Sequence, residues 1–132
     1  MKKITKKIIT KLSKIDIDYK KERMLKEIIS NEKNIKYIDT FILVKDHNVK
    51  VRLFIPNIIN QVIIYFHGGG FVTGNIHTYS RTCYDLANNT NSLVISVDYS
   101  LAPEYPFPNG LIDCYSVTKY LYSEDSFLDN KN

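Results

Sequence analysis

The sequence predicts an α/β fold in which helices cover both faces of a parallel sheet. Residues 62–66 and 93–97 are short runs of almost continuous apolar residues, which is typical of strands buried on both faces. Each run is followed by a loop and then by a helix-like segment, at about 78–88 and 110–122. A repeated order of strand, loop and helix is the pattern of a doubly wound parallel sheet.

A β-hairpin is predicted ahead of these parallel strands. Residues 38–44 and 49–55 are strand-like, and the second segment alternates apolar residues with Lys50 and Arg52. Residues 46–48, with the sequence Asp-His-Asn, favour a turn between them. The hairpin is therefore expected to be antiparallel and to lead into the parallel part of the sheet.

The start of the chain is predicted to be helical and basic. Apolar residues recur at helical spacing over residues 4–15 and again over about 19–29, which predicts two amphipathic helices. Residues 1–33 hold 11 Lys and Arg against 5 Asp and Glu, whereas the rest of the chain holds 7 against 9. We interpret the basic excess as solvated helix faces, with contact to a membrane surface or a polyanion as the alternative. Residues 1–34 are expected to form a helical unit and residues 35–132 the core.

Length and composition limit the classes of protein that fit. With 132 residues, 44% hydrophobic and 24% charged, the chain has the composition of one ordinary soluble globular domain. An α/β domain of this type normally needs roughly 200–250 residues, so we expect an incomplete sheet. Cys83 and Cys114 lack zinc-site spacing, which predicts reduced thiols in a cytoplasmic protein with no metal or cofactor. No segment suits a signal peptide or a membrane-spanning helix, and no nucleic-acid partner is expected.

A glycine-rich loop follows the first buried strand, with the sequence His-Gly-Gly-Gly-Phe-Val-Thr-Gly over residues 67–74. Ligands of open α/β sheets bind at this end of the strands, and consecutive glycines let a ligand approach backbone N–H groups closely. A phosphate-binding loop is disfavoured because neither a Gly-Lys-Ser/Thr ending nor a Gly-x-Gly-x-x-Gly pattern is present. The alternative without a ligand is a purely structural turn. Stabilisation of an oxyanion is favoured, because a His-Gly-Gly-Gly run after an early strand is described for lipases and esterases.

A second motif, Val-Asp-Tyr-Ser-Leu-Ala-Pro-Glu over residues 97–104, is followed by Pro106-Phe-Pro108 and Asp113. With the glycine loop, it resembles the hormone-sensitive-lipase-like branch of the α/β-hydrolase family over about residues 51–121. The resemblance implies the N-terminal part of an α/β-hydrolase fold and hydrolysis of carboxylic esters through a serine acyl-enzyme. It also implies that residues 1–34 belong to a cap over the acyl pocket.

The resemblance assigns expected roles to individual residues. The amides of Gly69 and Gly70 would be oxyanion-hole donors, and a third donor would come from the residue after the nucleophile. Support of the loop is implied for His67, Gly68 and Gly74. Structural positions around the proline-rich loop are implied for Asp98, Glu104 and Asp113. Ser100 departs from the family, which usually has Arg there, so the local salt-bridge network is expected to differ.

The catalytic residues themselves are missing from the sequence. No Gly-x-Ser-x-Gly turn is present, because the only glycines four residues apart, Gly70 and Gly74, enclose Val72. The family's later Asp and His are missing as well, and His47 and His77 precede the place of the nucleophile, so neither is expected to be the base. By resemblance the strand order is one-two-four-three-five, which would leave strand 62–66 with an unpaired edge and the sheet truncated before the nucleophile strand.

The sequence is compatible with three functions. The chain could be one half of an esterase that is completed by a second polypeptide and acts on a small ester. It could be a non-catalytic fragment, and we predict no esterase activity for the chain alone. It could also be a hydrolase-derived binding module for a small acid or ester, although such receptors keep the entire sheet.

Overall fold

The computed structural model describes residues 3–13 and 35–123. Within these ranges the elements are α1 (Lys3–Ser13), β1 (Lys36–Val44), β2 (His47–Ile55), β3 (Gln61–Phe66), α2 (Ser80–Thr90), β4 (Ser92–Asp98) and α3 (Asn109–Tyr122). The four strands form one mixed sheet in the order β1-β2-β4-β3. The α/β class is confirmed, and this order agrees with the first four strands of the order that the resemblance implied. The second predicted helix, at about 19–29, lies outside the described residues.

The sheet combines an antiparallel hairpin with one parallel pair, as the sequence predicted. β1 and β2 are antiparallel, with Val44 opposite His47, and β2 continues antiparallel to β4. β3 and β4 are parallel, with Phe66 opposite Val97. The carboxyl ends of β3 and β4 therefore lie side by side at one edge of the sheet, and the loops that follow both strands meet there.

The hairpin turn is shorter than predicted. Only Lys45 and Asp46 separate the two strands, and Lys45 takes a positive φ of 43°. A two-residue connection with a positive φ matches the right-handed twist of the paired strands. His47 is consequently the first residue of β2 and not part of the turn.

Helices cover the two faces of the sheet, and each face has its own core. Alternate residues of β2 and β4 pack towards α3 and α1, and the intervening residues pack towards α2. Val117 and Leu121 of α3 lie in the first core, and Cys83 and Ala87 of α2 lie in the second. The alternation predicted for β2 is therefore present, but the second face of this strand is covered as well. Arg52, which the alternation places on a polar face, is only 3% exposed.

The edge of the sheet at β3 differs from the burial that the sequence predicted. Within the described residues β3 pairs only with β4, and its four central residues, at positions 62–65, are half-buried instead of fully buried. β4, which has a neighbour on each side, is buried at six of its seven positions. The apolar composition of β3 thus suits a central strand, whereas its place in this sheet is an edge.

The helix α1 packs against the far end of α3. Ile8 and Leu12 are buried in the core that α1 shares with α3. The ammonium group of Lys11 donates to the carbonyl of Tyr120 and lies 4.4 Å from the centre of its ring. These contacts are at the carboxyl end of α3, away from the glycine loop. Whether residues 1–34 act as a cap stays a prediction.

Candidate functional site

The glycine loop makes a tight turn directly after β3. Gly69 has a φ of 137° and Gly70 has a φ of 63°, both in the range that favours glycine. The carbonyl of Gly69 accepts hydrogen bonds from the N–H groups of Val72 at 3.1 Å and Thr73 at 3.0 Å. A Cβ atom on Gly69 would overlap the carbonyl of Thr73, with 2.6 Å to its carbon. The loop therefore closes on itself at a residue that must be glycine.

The amides of the two glycines are available to a ligand. Within the described residues, the N–H groups of Gly69 and Gly70 donate to no acceptor. Both residues line a cavity of about 520 Å³ between the loop and α3. Its wall is mostly aromatic and aliphatic and includes Phe66, Phe71, Tyr99, Leu111 and Tyr115. Two neighbouring unpaired N–H groups beside an apolar cavity can stabilise a negative charge that develops on a bound oxygen.

His67 is enclosed by the loop and by two tyrosines. Its ring stacks on Tyr99 with 4.3 Å between centroids and contacts Tyr79 at 5.6 Å in a similarly parallel arrangement. The hydroxyl of Tyr99 donates to the backbone carbonyl of His67, and the Nδ1 atom of His67 lies 2.8 Å from the carbonyl of Gly68. At 3% exposure, His67 is buried beneath the loop. This geometry suits the supporting role that the resemblance implied.

Gly74 closes the loop over the same ring. Its φ is 92°, and an added Cβ would lie 2.7 Å from the Nδ1 atom of His67. Gly68 leaves more room, since its nearest neighbour would be the Tyr79 hydroxyl at 3.6 Å. The close packing of Gly74 on His67 explains why the eighth residue of the motif is also glycine.

The proline-rich loop and the start of α3 support the glycine loop from the other side. The N–H of Ala102 donates to the carbonyl of Phe71 at 2.8 Å. Gly110, in the first turn of α3, is so close that an added Cβ would lie 2.6 Å from the carbonyl oxygen of Ser100 and 2.9 Å from the Phe71 ring. The two sequence motifs therefore form one packed unit.

Asp113 is the centre of a polar network under the proline-rich loop. One carboxylate oxygen accepts from the N–H of Ser100 at 2.9 Å and from its hydroxyl at 2.5 Å. The other oxygen is 2.7 Å from the Nε2 atom of His47. The Nδ1 atom of His47 lies 3.0 Å from Asp46. Hydrogen bonds to Asp46, and then to Asp113, raise the pKa of His47.

This network has the residue types of a catalytic triad but not its connections. The hydroxyl of Ser100 donates to Asp113, whereas a nucleophilic serine must donate to the imidazole that takes its proton. Ser100 is thus a structural partner of the carboxylate. Sequence reasoning missed His47 as a member of the network. The one sequence feature that pointed to it is Ser100, which replaces the Arg usual in the family, so that Asp113 needs a different basic partner.

A second buried polar cluster lies on the face of the sheet covered by α2. Arg52 makes a two-pronged ion pair with Asp39, at 2.7 and 3.0 Å, and donates to the Ser80 hydroxyl at 2.8 Å. It also lies 3.1 Å from the Nδ1 atom of His77. Because Arg can only donate, this nitrogen of His77 is an acceptor here. The cluster fixes the segment that joins the glycine loop to α2.

Asp98 and Glu104 lie near the network around Asp113 but outside it. Both line a wide cavity together with His47 and Asp113. Among the described residues, neither carboxylate has an ion pair or a hydrogen bond. Their implied structural roles stay predictions. In residues 3–13 and 35–123, no three His, Cys, Asp or Glu side chains are grouped so that they could hold a metal ion.

Comparison with known proteins identifies the family. A sequence profile described as alpha/beta hydrolase fold matches residues 63–132, which is more than half of the chain. The chain belongs to the α/β-hydrolase family. The chain is 45% identical over 60 residues to "Esterase LipI" of Mycobacterium tuberculosis, covering 46% of this chain and 19% of that protein. It is 38% identical over 80 residues to an arylesterase of Saccharolobus solfataricus, covering 59% of this chain and 26% of that protein.

Solved structures of esterases have the same arrangement. A hyperthermophilic esterase from Pyrobaculum calidifontis superimposes with a TM-score of 0.64 at 34% identity, covering 77% of this chain and 34% of that one. The thermostable carboxylesterase EstE1, cloned from a metagenomic library, gives a TM-score of 0.63 at 32% identity and covers 78% and 38%. These relatives confirm the predicted esterase branch of the hydrolase family.

The chain corresponds to only part of these relatives. It spans less than two fifths of the length of each of the four proteins described above. In the described ranges, no helix has both the length and the apolar character needed to cross a bilayer.

Proposed function

We propose that this chain supplies the oxyanion loop of a carboxylic-ester hydrolase that works through a serine acyl-enzyme. The observation that carries the proposal is the pair of unpaired N–H groups of Gly69 and Gly70, which border an apolar cavity at the end of β3. Donors fixed in advance stabilise the oxyanion of the tetrahedral intermediate without a cost of reorganisation. The apolar wall suits the uncharged acyl group of a small ester.

The remaining catalytic groups come from polypeptide outside the 132 residues. A serine acyl-enzyme needs a nucleophile, a base and an acid, and the sequence contains no Gly-x-Ser-x-Gly turn. Both ring nitrogens of His47 face carboxylates, those of Asp46 and Asp113, so neither is left to take a proton from a serine. The Nδ1 atom of His77 contacts Arg52, where a triad base would contact a carboxylate, which argues against His77. The chain alone is therefore expected to lack esterase activity.

The surface beside the loop supports the idea of a completing polypeptide. Phe66 is 43% exposed, Leu111 50% and Tyr115 64%, and all three border the cavity at the glycine loop. The half-buried edge of β3 lies next to them. An unpaired apolar edge beside exposed aromatic residues favours pairing with another segment. We infer that this segment is the remaining part of the hydrolase sheet, on the same or a second polypeptide.

Complementation tests the proposal. The first step is to search the nucleotide sequence downstream of codon 132, over about 30 codons, for a segment that encodes Gly-x-Ser-x-Gly. This turn carries the nucleophile of the family. The chain is then co-purified with the downstream product and assayed with a short-chain p-nitrophenyl ester. We expect turnover that needs both products and is lost when the serine is replaced by alanine or Gly69 by proline. A purified complex without serine-dependent turnover would refute the proposal.

The isolated chain provides the control. Oxyanion-hole and binding effects can leave about 10³–10⁴-fold acceleration when triad residues are deleted, but only in an intact pocket. Activity of the chain alone that survives repurification and disappears in Gly69→Pro would contradict the expected inactivity. A rise in its melting temperature with short-chain carboxylic acids, without any turnover in the complex, would favour the binding module instead.

A further inference from the structure

Asp113 is a buried carboxylate whose only basic partner in the described ranges is a histidine. Its side chain is 4% exposed, and no Lys or Arg lies within ion-pair distance of it there. Ser100 satisfies one oxygen with two neutral donors, and His47 contacts the other at 2.7 Å. A buried carboxylate is costly unless it is paired and fully hydrogen-bonded. His47 is thus the group whose charge can balance that of Asp113.

The contacts of Asp113 lead directly to the glycine loop. Ser100, which is bound to Asp113, follows Tyr99, and the Tyr99 hydroxyl donates to the carbonyl of His67. On the helix side, Gly110 lies one turn before Asp113 and packs against the Phe71 ring. A displacement of Asp113 therefore acts on the glycine loop through both of the elements that support it.

We infer that His47 is a positioning residue for the oxyanion loop, and that it holds the loop through Asp113 most firmly while its imidazole carries two protons. The oxyanion role of the loop rests on the proposed function. The coupling of His47 to the loop rests on the contacts of the residues themselves. His47 has two acceptors, Asp46 at Nδ1 and Asp113 at Nε2. An imidazolium donates to both, whereas a neutral imidazole has one N–H and satisfies only one of them.

The sign of the pH dependence follows from the carboxylates around His47. Asp46, and then Asp113, raise the pKa of His47 above its usual value of 6.5. The contact therefore contributes its full stability below pH 6.5 and loses it as the pH rises through the raised pKa. Lys45 in the turn, Asp98 at the end of β4 and Glu104 in the proline-rich loop face the same cavity. The shift of the His47 pKa comes from Asp46 and Asp113, and burial of the ring opposes it.

Nuclear magnetic resonance of the 15N-labelled chain tests this coupling without any substrate. The ring proton signal of His47 and the amide signals of Gly69 and Gly70 are followed from pH 5.5 to 9. We expect the amide shifts to titrate with the same midpoint as His47, above 6.5. Over the same range, the melting temperature is expected to fall by about 2–4 °C, since the histidine is partly exposed.

Three variants separate this role from a merely structural one. His47→Gln retains a donor that can reach Asp113 but has no proton to lose, so the glycine amides should no longer titrate. His47→Asn is too short to reach Asp113 and should lower the melting temperature most below pH 6.5, where the contact is at full strength, and least at pH 9. His77→Gln should leave the titration of the glycine amides intact.

The result for the unmodified chain is decisive even if a variant fails to fold. Glycine amides that stay constant while the His47 signal titrates would overturn the inference, as would a titration that persists in His47→Gln. Both outcomes are independent of ester turnover. Failure of the proposed esterase function would leave this coupling measurable, and failure of the coupling would leave the esterase proposal standing.

Discussion

Replacing Gly69 by alanine is expected to destabilise the chain strongly, whereas the same change at the neighbouring Gly70 is expected to be mild. Both glycines have a positive φ, so both variants place a Cβ atom on strained backbone. They differ in what this atom would meet. At Gly69 it would overlap the carbonyl of Thr73, and at Gly70 it would have nothing within 4 Å. The pair therefore separates close packing from conformational strain.

The magnitudes follow from these two environments. For Gly69→Ala, backbone strain of about 1–3 kcal/mol is added to an overpacking cost of about 1–3 kcal/mol, which gives a loss of about 2–6 kcal/mol. For Gly70→Ala, a left-handed residue costs about 1–2 kcal/mol, and the lower entropy of the unfolded chain offsets about half of this. The loss at Gly70 is therefore expected to be about 0.5–1 kcal/mol.

Urea unfolding followed by circular dichroism measures the difference. With a slope of about 1–2 kcal/mol per molar urea, the midpoint should fall by about 1–4 M for Gly69→Ala and by less than about 1 M for Gly70→Ala. Equal losses in the two variants would refute the reasoning, because they would mean that contact between Gly69 and Thr73 does not determine the shape of the loop.

Other predictions concern groups around the loop. Arg52→Met should cost about 3 kcal/mol of unfolding free energy, the lower end of the range for a broken buried ion pair, because among the described residues Asp39 then keeps only Lys50 at 3.8 Å as a cation. Adding Asp39→Leu should recover part of the loss, and no recovery in urea unfolding would contradict the ion-pair explanation. Tyr99→Phe should cost about 1–2 kcal/mol and weaken hydrogen-exchange protection around His67, since a carbonyl loses its donor. Burial raises the pKa of Cys114 to about 11. At pH 8 this thiol should therefore react with iodoacetamide about 100-fold more slowly than a thiol with the reference pKa of 9.0. Its reaction should become faster as the pH rises. Mass spectrometry of the labelled peptides tests this, and equal rates would contradict it.

The elements of the sheet could be predicted because their signals are local. The apolar runs at 62–66 and 93–97 and the helical spacing at 110–122 depend on neighbouring residues, and β3, β4 and α3 appear there. The glycine loop was equally clear, since three consecutive glycines after a strand restrict the possible chemistry. The motif at 97–104 is local as well, so the two motifs together are enough to indicate the family.

The burial of Arg52 needed information from a second strand. Alternation along β2 places Arg52 on the face opposite to Val51 and Leu53. From the sequence of β2 alone, this face is predicted to be polar and exposed. The hairpin register puts Asp39 directly opposite Arg52, and the carboxylate makes the burial of the guanidinium possible. The position of the two-residue turn at Lys45 and Asp46 sets the hairpin register and so determines this pair.

The contact of His47 with Asp113 could not be predicted from local patterns. The two residues are 66 positions apart and meet only because α3 packs on the face of the sheet on which His47 of β2 lies. Turn-forming neighbours suggested a place in the loop for His47, whereas pairing with Val44 puts it in β2. Side-chain networks of this kind depend on the packing of separate elements, which composition and periodicity do not specify.

If the proposed function is right, the backbone N–H of Gly70 is one of the two donors of this loop that stabilise the oxyanion. The most direct test replaces this N–H by an ester oxygen, with glycolic acid at position 70, in the chain complemented by its downstream product. We expect kcat for p-nitrophenyl acetate to fall by about 10²–10³-fold, the usual effect of removing one oxyanion-hole donor. Gly70→Ala retains the N–H and is the matched control, with a much smaller expected effect. An unchanged kcat in the ester-containing enzyme, with folding intact, would contradict the account.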